Sequence, residues 1–182
     1  MWRGCLADAL LLNFFRSSSS ARYLKEWKYL MRLHPIDDGL DLATLQIADR
    51  QLVESIVSST RQMYESLGSD FPWIGYLAEV SGQIAGTCGF KGPPADGAVE
   101  IAYFTFPGCE NQGVATGMGE SLIEIARHAN ASICVLAQTL LDRNASHRVL
   151  EKLHFTATGM KHHETDGDVL EWCLGEHASA PD

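Results

Sequence analysis

The chain has 182 residues, of which 46% are hydrophobic and 20% are charged, values that are ordinary for a folded globular protein. A chain of this length buries roughly two-thirds of its unfolded surface, so it needs neither a metal nor a disulfide to fold. Its apolar runs fall short of the ~18 residues that a membrane-spanning helix requires. The composition therefore excludes a collagen, a coiled coil, a membrane span and a wholly disordered chain.

The charge balance is acidic, because 14 basic and 23 acidic side chains give a net charge of -9. Residues 1–39 hold six basic and four acidic side chains, so the acidic excess lies in residues 40–182. An acidic body repels phosphate backbones, and we therefore expect no nucleic-acid partner. The same field weakly attracts cationic substrates such as amines. An anionic ligand would have to be held by local backbone donors.

The five cysteines show no Cys-x-x-Cys spacing, and they are Cys5, Cys88, Cys109, Cys134 and Cys173. An odd number without metal-ligand spacing favours reduced thiols over a disulfide framework. We therefore expect a cytoplasmic protein. The histidines at 162 and 163 do not predict a metal site, because adjacent residues on a strand point to opposite faces.

The first 39 residues are predicted to form an arm. The apolar run at residues 10–15 is interrupted by Asn13 and lacks a clear cleavage site, and the Arg and Ser content of the first 22 residues is weakly similar to a transit peptide. An upstream start codon or a loosely attached arm is favoured over a signal peptide or a transit peptide. Residues 21–33 show helical spacing that Pro35 stops, so an accessory helix is predicted there. The predicted division is an arm at residues 1–39, a single domain at 40–176 and a tail at 177–182.

The next segments predict a helix followed by antiparallel strands. Residues 40–45 alternate like a first strand, and Asp49 is a plausible N-cap for a helix that runs to Leu67 and ends at Gly68. After Pro72, residues 73–80 and 83–90 read as strands joined by a tight Ser-Gly turn, and residues 99–106 form the next strand.

The following segments predict a parallel pair of strands. Residues 114–130 form a helix with one apolar face, and residues 133–137 are apolar on both faces, as in a buried central strand. This order implies a right-handed crossover between parallel strands. A helix at 142–153 and strands at 155–160 and 169–174 complete the prediction. The fold class is α/β (α+β), with a mixed sheet of about six or seven strands flanked by helices.

The loop at residues 109–117, CENQGVATG, joins a strand to a helix N-terminus. Free N–H groups there and the positive end of the helix dipole favour phosphate oxygens. Gly113 allows close approach of the backbone, Ala115 leaves the helix start uncrowded, and Thr116 adds a hydroxyl. The loop is neither a Walker loop nor a dinucleotide fingerprint. By itself it fits two alternatives, a turn that only starts a helix or a nucleotide-binding domain of another kind.

Three blocks of sequence favour a more specific interpretation of this loop. They are GTCGF at residues 86–90, VEIAY at 99–103 leading into NQGVAT at 111–116, and NASHRVLEKLHF at 144–155. Together they resemble the GNAT superfamily of acetyl-CoA-dependent N-acetyltransferases, in particular the branch that includes ribosomal-protein-alanine acetyltransferases. The resemblance covers residues 73 to about 174 and implies the same fold, a mixed sheet with a crossover at the cofactor loop.

The resemblance implies acetyl-CoA as co-substrate and no metal. Backbone groups at residues 103–106 would contact the pantetheine arm, N–H groups at 112–116 would hold the pyrophosphate, and the two central parallel strands would splay to admit the cofactor. The residues predicted to bind the cofactor are Phe104, Thr105, Phe106, Asn111, Gln112, Gly113, Val114, Ala115, Thr116 and Asn144.

The chain departs from the family pattern at several positions. Glu110 stands where the family's loop motif has Gln or Arg, and a carboxylate near a pyrophosphate is unfavourable unless it points away. Arg143 takes the slot of a frequent family asparagine, which places Asn144 one residue later. Leu150 occupies the position where many members carry the tyrosine that protonates the leaving thiolate.

An amine must lose a proton before it attacks a thioester, so the reaction needs a base and a proton source for the thiolate. Glu100 is the candidate base, directly or through water, because it lies on the strand that should border the cofactor. The alternative is an ordinary half-exposed glutamate. Without a tyrosine at 150, solvent, Tyr103 or Ser146 would protonate the thiolate.

The predicted function is transfer of an acetyl group from acetyl-CoA to a primary amine, a peptide N-terminus or a small amine, in a ternary complex. The alternative is a regulatory module that binds an acyl-CoA without turnover, which the missing tyrosine and Glu110 favour. The predicted partners are the amine acceptor alone, with no nucleic acid and no membrane, and the chain is expected to be a monomer or a homodimer.

Overall fold

The computed structural model describes residues 31–163 and 167–175. Within this part of the chain, seven strands form one sheet in the order β1-β2-β3-β4-β5-β7-β6. The strands are β1 (Met31–Pro35), β2 (Gly75–Val80), β3 (Gln83–Phe90), β4 (Ala98–Thr105), β5 (Cys134–Leu140), β6 (Thr156–His163) and β7 (Gly167–Leu174). The α-helices are α1 (Arg50–Leu67), α2 (Val114–Ala129) and α3 (Ala145–Lys152).

The sheet is mixed. Five of its neighbouring pairs are antiparallel, and the β4–β5 pair is parallel, with α2 as the connection between those two strands. A parallel pair needs such a crossover, because its strands start at the same end of the sheet. The predicted fold class, the hairpin between β2 and β3, and the strand–helix–strand unit at the glycine loop are confirmed.

The helices cover both faces of the sheet. Val53 and Val57 of α1 pack on Leu77 and Ile84, whereas α2 and α3 pack on the other face, against residues such as Val99 and Ile101 of β4. Successive strand residues point to opposite faces. Glu100 therefore lies on the face that carries α1, and its two neighbours in sequence lie on the face that carries α2 and α3.

Helix α1 follows its prediction. The Asp49 carboxylate accepts a hydrogen bond of 2.9 Å from the Leu52 N–H, which satisfies one of the free donors at the helix start. At the other end, Gly68 has a φ of 81° and its N–H donates to the Tyr64 carbonyl.

The strand predicted at residues 40–45 is wrong, and the helix predicted at residues 21–33 is wrong at its last three residues. Residues 40–45 contain a 3-10 turn, Leu42–Thr44, because the Asp41 carboxylate accepts from the Ala43 N–H and holds the segment in a local turn. Residues 31–33 belong to strand β1 and not to a helix, because Met31 and Leu33 face the core while the strand pairs with β2. Residues 21–30 of that predicted helix lie outside the described residues. Strand β1 thus lies inside the segment predicted as an arm.

The cysteines also differ from expectation. Cys134 on β5 and Cys173 on β7 are paired as a disulfide, with Cα atoms 6.6 Å apart. The strand register places Leu136 opposite Cys173, so Cys134 lies diagonally across the same face. The expectation of reduced thiols is wrong for this pair, whose separation of 39 residues gave no spacing signal. Cys88 and Cys109 are free thiols.

Candidate active site

The site begins where β4 and β5 separate. The two strands pair only from Ala98 opposite Cys134 to Glu100 opposite Leu136. Both strands nevertheless continue, β4 to Thr105 and β5 to Leu140. Beyond Glu100 the backbone edges of β4 and β5 are therefore unpaired with each other, and the sheet opens. This opening is the splay that the family resemblance implied.

A cavity of about 330 Å³ lies near the open end of β4. It is lined by Tyr103, Phe104, Thr105, Cys109, Glu110, Asn111, Gly113, Val114, Ala115, Thr116, Ala145, Ser146, Arg148, Val149 and Lys152. Nine of these residues are ones that the sequence singled out for binding or catalysis. Four other candidates, Glu100, Phe106, Gln112 and Asn144, lie outside the lining.

The floor of the cavity includes the start of α2. Gly113 is the N-cap of this helix with a φ of 84°, and its own lack of a side chain leaves the first turn without a side-chain cap. The N–H groups of residues 114–116 precede the first intrahelical donor, the Gly117 N–H, which donates to the Gly113 carbonyl. The open space around Gly113 and these free donors suit an anionic group at the positive end of the helix dipole.

Glu110, whose carboxylate is unfavourable next to a pyrophosphate, is hydrogen-bonded within the loop. Its Oε2 accepts a hydrogen bond of 2.7 Å from the Gly108 N–H. The Gln112 side-chain amide donates to the Gly108 carbonyl at 3.1 Å. The Gln112 side chain therefore stabilises the loop. The Glu110 carboxylate still lines the cavity, but the Gly108 N–H compensates part of its negative charge.

Two cations of the cavity were not predicted. Arg148 and Lys152 lie one turn apart on α3 and both line the cavity beside the start of α2. Their spacing of four residues places them on one side of the helix. That spacing is visible in the sequence and could have predicted a basic side of α3. They supply local positive charge in a chain whose net charge is -9.

Asn144 does not line the cavity; it caps the N-terminus of α3. Its Oδ1 accepts a hydrogen bond of 2.9 Å from the Ser146 N–H, and its N–H donates to Nδ1 of the buried His147 at 3.3 Å. This capping box starts α3 at Ala145 and fixes Ser146 at the cavity edge.

Tyr103 lies on the cavity wall near Ser146. Its hydroxyl oxygen is buried and makes no hydrogen bond of good geometry with a described residue. Burial raises the pKa of Tyr103 to about 12, and the Ser146 side chain opposes part of that increase. The phenol is therefore neutral, and keeps its proton, at ordinary pH. At position 150 the Leu150 side chain is buried in the core and offers no such group.

Glu100 lies on the opposite face of β4 from Tyr103. Its Oε1 is 2.6 Å from Nζ of Lys91, and the two side chains are 22% and 46% exposed. The pair is also tied through the backbone, because the Lys91 N–H donates to the Glu100 carbonyl at 2.9 Å. Oε1 is buried and receives no well-directed hydrogen bond in the described part of the chain, so the contact is an ion pair.

Comparison with known families assigns this architecture. Residues 42–155 match the model of the acetyltransferase (GNAT) family. The chain belongs to the GNAT family. The matched segment contains the opening between β4 and β5, the glycine loop and α3, so the predicted family and enzyme class are confirmed. A comparison with curated proteins finds no match.

Solved structures with the same fold include several acetyltransferases. The ribosomal L7/L12 alpha-N-protein acetyltransferase RimL, in its apo form, has a TM-score of 0.60 at 18% identity, over 80% of this chain and 92% of that chain. An acetyltransferase of Salmonella typhimurium that modifies the N-terminal serine of 50S subunit protein L7/L12 has a TM-score of 0.57 at 16% identity, over 81% and 96% of the chains. The microcin C7 self-immunity acetyltransferase MccE, in complex with acetyl-CoA and AMP, has a TM-score of 0.56 at 14% identity, over 70% and 72%. At these identities the likeness establishes the fold.

The described residues of this GNAT family member contain no group of three or more His, Cys, Asp or Glu side chains that could hold a metal ion. Nor is any helix in them long and apolar enough to cross a membrane.

Proposed function

We propose that this chain transfers the acetyl group of acetyl-CoA to a primary amine in a ternary complex. The acceptor is the N-terminus of a peptide or a small amine. The observation that carries the proposal is the opening between β4 and β5, which begins beyond Glu100, together with the cavity that joins the open end of β4 to the uncapped start of α2. Solved GNAT enzymes of this fold in complex with acetyl-CoA support the choice of cofactor.

The cofactor would be held by three sets of groups. The free N–H groups of residues 114–116 and the cations Arg148 and Lys152 suit the phosphates, because both supply positive charge to one cavity. The unpaired backbone edge of β4 at residues 103–105 suits the amides of the pantetheine arm. The residues that the sequence predicted for the cofactor are proposed in these roles, with Gln112 and Asn144 acting through the loop and the α3 cap, and Phe106 from the strand end.

On the acceptor side, Glu100 would take the proton from the attacking amine. It stands at the last paired residue of β4, on the edge of the opening, and an amine at its carboxylate gains a charge-assisted contact. The acidic body of the chain raises the local concentration of cationic acceptors.

On the cofactor side, the departing thiolate needs a proton. Tyr103 holds its proton at ordinary pH, and with Ser146 it places two hydroxyl groups on the cavity wall. Either hydroxyl, or solvent, would supply the proton in place of the tyrosine that Leu150 replaces.

A second candidate function is a regulatory module that binds an acyl-CoA without turnover. The buried Leu150 favours it, because no acid stands at the family position. For both candidates we assign the function to a single domain at residues 40–176 together with β1. We propose that the protein acts in the cytoplasm, as a monomer or a homodimer.

Release of free thiol from acetyl-CoA, measured over a panel of amines, separates the two candidates. The panel pairs peptides that have free N-termini with the same peptides blocked, and adds small amines. Acetyl transfer predicts thiol release that depends on the acceptor. Thermal stabilisation by acetyl-CoA without thiol release over the whole panel would favour the module instead.

A further inference from the structure

Lys91 places an amine at the carboxylate proposed as the base. Its Nζ lies 2.6 Å from Glu100 Oε1, so the two charged groups form a close ion pair. An acceptor amine would have to take the same position to give up its proton to that carboxylate. The chain therefore contains a built-in amine in the place that an acceptor requires.

The surroundings hold this amine beside β4, the strand that borders the opening. Lys91 follows β3 directly, and its N–H is bonded to the Glu100 carbonyl, so the base of the side chain is fixed. Glu100 is the last residue of β4 that pairs with β5. The strand then continues through Tyr103, Phe104 and Thr105, which line the proposed cofactor cavity. A pantetheine arm that followed this strand from Thr105 towards Tyr103 would point towards the pair.

The side chain also has room to leave the ion pair. Lys91 is 46% exposed and lines a second cavity, of about 160 Å³, together with Tyr64, Trp73 and Phe90. A flexible four-carbon stem next to free space can turn its amine away from the carboxylate. We propose that Lys91 is a modification site, acetylated in cis by this chain from acetyl-CoA. The proposal rests on the proposed function.

The step balances without a further reactant. The ammonium of Lys91 gives one proton to Glu100, and the freed lone pair of Nζ attacks the thioester carbonyl carbon. The C–S bond breaks as the N–C bond forms, the sulfur leaves as a thiolate, and the nitrogen loses its second proton. The products are an acetamide on Lys91, free coenzyme A thiol and one proton released to solvent. The reaction needs no second protein molecule, because acceptor and base belong to one chain.

The acetamide has no charge to pair with Glu100. Modification therefore ends the ion pair and leaves the carboxylate available to an external amine. One chain can release one thiol in this way before any acceptor is added.

The test incubates the full chain with acetyl-CoA and no acceptor, and follows acetylation by intact mass and by peptide mass spectrometry. We expect one acetyl group per chain, on Lys91, at a rate that does not depend on protein concentration. Lys161 is the matched control, because its Nζ lies 3.2 Å from Glu171 and its side chain is 60% exposed, on edge strand β6. It should stay unmodified over the same time.

Two variants test the chemistry. K91R keeps the positive charge beside Glu100 but presents a poor nucleophile, so the acetyl group and the acceptor-free thiol should both disappear. Glu100→Gln should slow modification of Lys91 by about a hundredfold, within the usual range for loss of a general base.

The outcomes separate this proposal from the proposed function. Thermal stabilisation by acetyl-CoA and transfer to external amines, with Lys91 unmodified, would overturn the self-acetylation alone. Equal modification of Lys91 and Lys161, unaffected by Glu100→Gln, would show non-enzymatic acylation and would also overturn it. Absence of any binding of acetyl-CoA would remove both.

Discussion

At the scale of single residues, the proposed base and the proposed proton donor lie on the two faces of one strand. Glu100 points to the face of the sheet that carries α1, and Tyr103 lies on the face that carries α2 and α3. The proposed base and the proposed proton donor on opposite faces suit a reaction in which the acceptor arrives from one side and the thiolate leaves from the other. The strands β4 and β5 separate between the two residues.

Glu100→Gln should lower kcat by about a hundredfold, since the amide cannot accept the proton of the amine. Binding of acetyl-CoA should be unchanged, because Glu100 does not line the cofactor cavity. Glu171→Gln is the matched control, because Glu171 has the same 22% exposure and also pairs with a lysine, on β7. Steady-state kinetics and calorimetric titration of both variants check this prediction. An equal decrease of kcat in both variants would show that the effect comes from removing a negative charge on the sheet and not from loss of a catalytic base.

Gly113→Ala should weaken acetyl-CoA binding by about tenfold, which corresponds to about 1.4 kcal/mol. The added methyl enters the open space in front of the helix start, and a φ of 84° strains any residue with a Cβ. Gly97→Ala carries the same type of strain, with a φ of 75° and open space, in a loop away from the cavity. Both variants should lose stability by about 1–2 kcal/mol in denaturant unfolding, but the Gly97 variant should keep its affinity. Equal affinities in the two variants would contradict the assigned phosphate site.

At the scale of elements, local signals predicted most of the fold. The Asp49 cap, the Ser81 turn and the apolar run of β5 each depend on neighbouring residues, and each is confirmed. Strand β1 was missed because its partner, β2, lies more than 40 residues further along the chain. The pairing of Lys91 with Glu100 likewise follows from the register between β3 and β4, which the sequence does not show.

The glycine at position 89 tests how closely β2 and β3 approach. A Cβ there would lie 2.7 Å from the Gly75 Cα and 2.8 Å from the Ile74 carbonyl oxygen, which are backbone atoms that cannot turn away. Gly89→Ala should therefore destabilise the fold by about 2–3 kcal/mol. Gly92→Ala, just beyond the same strand, meets no atom within 4 Å and should change stability little. Urea unfolding of both variants checks the difference, and similar midpoints would refute the close approach.

At the scale of the whole molecule, burial of weak acids makes the fold sensitive to alkaline pH. Burial raises the pKa of Cys88 from 9.0 to about 12 and the pKa values of Tyr76 and Tyr103 from 10.0 to about 12. As pH rises, the unfolded chain loses these protons before the native state does. The free energy of unfolding therefore decreases. This contribution is fully present below pH 9.0 and is lost as pH rises towards about 12.

Melting temperatures measured across this alkaline range should fall progressively above pH 9.0. Tyr103→Phe removes one of these titrating groups, so its melting temperature should fall less steeply with pH than that of the wild type. Identical slopes for the two proteins would contradict the burial of the phenol.

The start of α2 and the open edge of β4 are the groups that we propose to hold acetyl-CoA. The most direct measurement is titration of the isotope-labelled protein with acetyl-CoA, followed through the backbone amide resonances. We predict saturable shifts of the Gly113, Val114, Ala115 and Thr116 amides and of residues 103–105, with little change at Gly97. Shifts that are absent at millimolar ligand, or that cluster away from the separation of β4 and β5, would contradict the account.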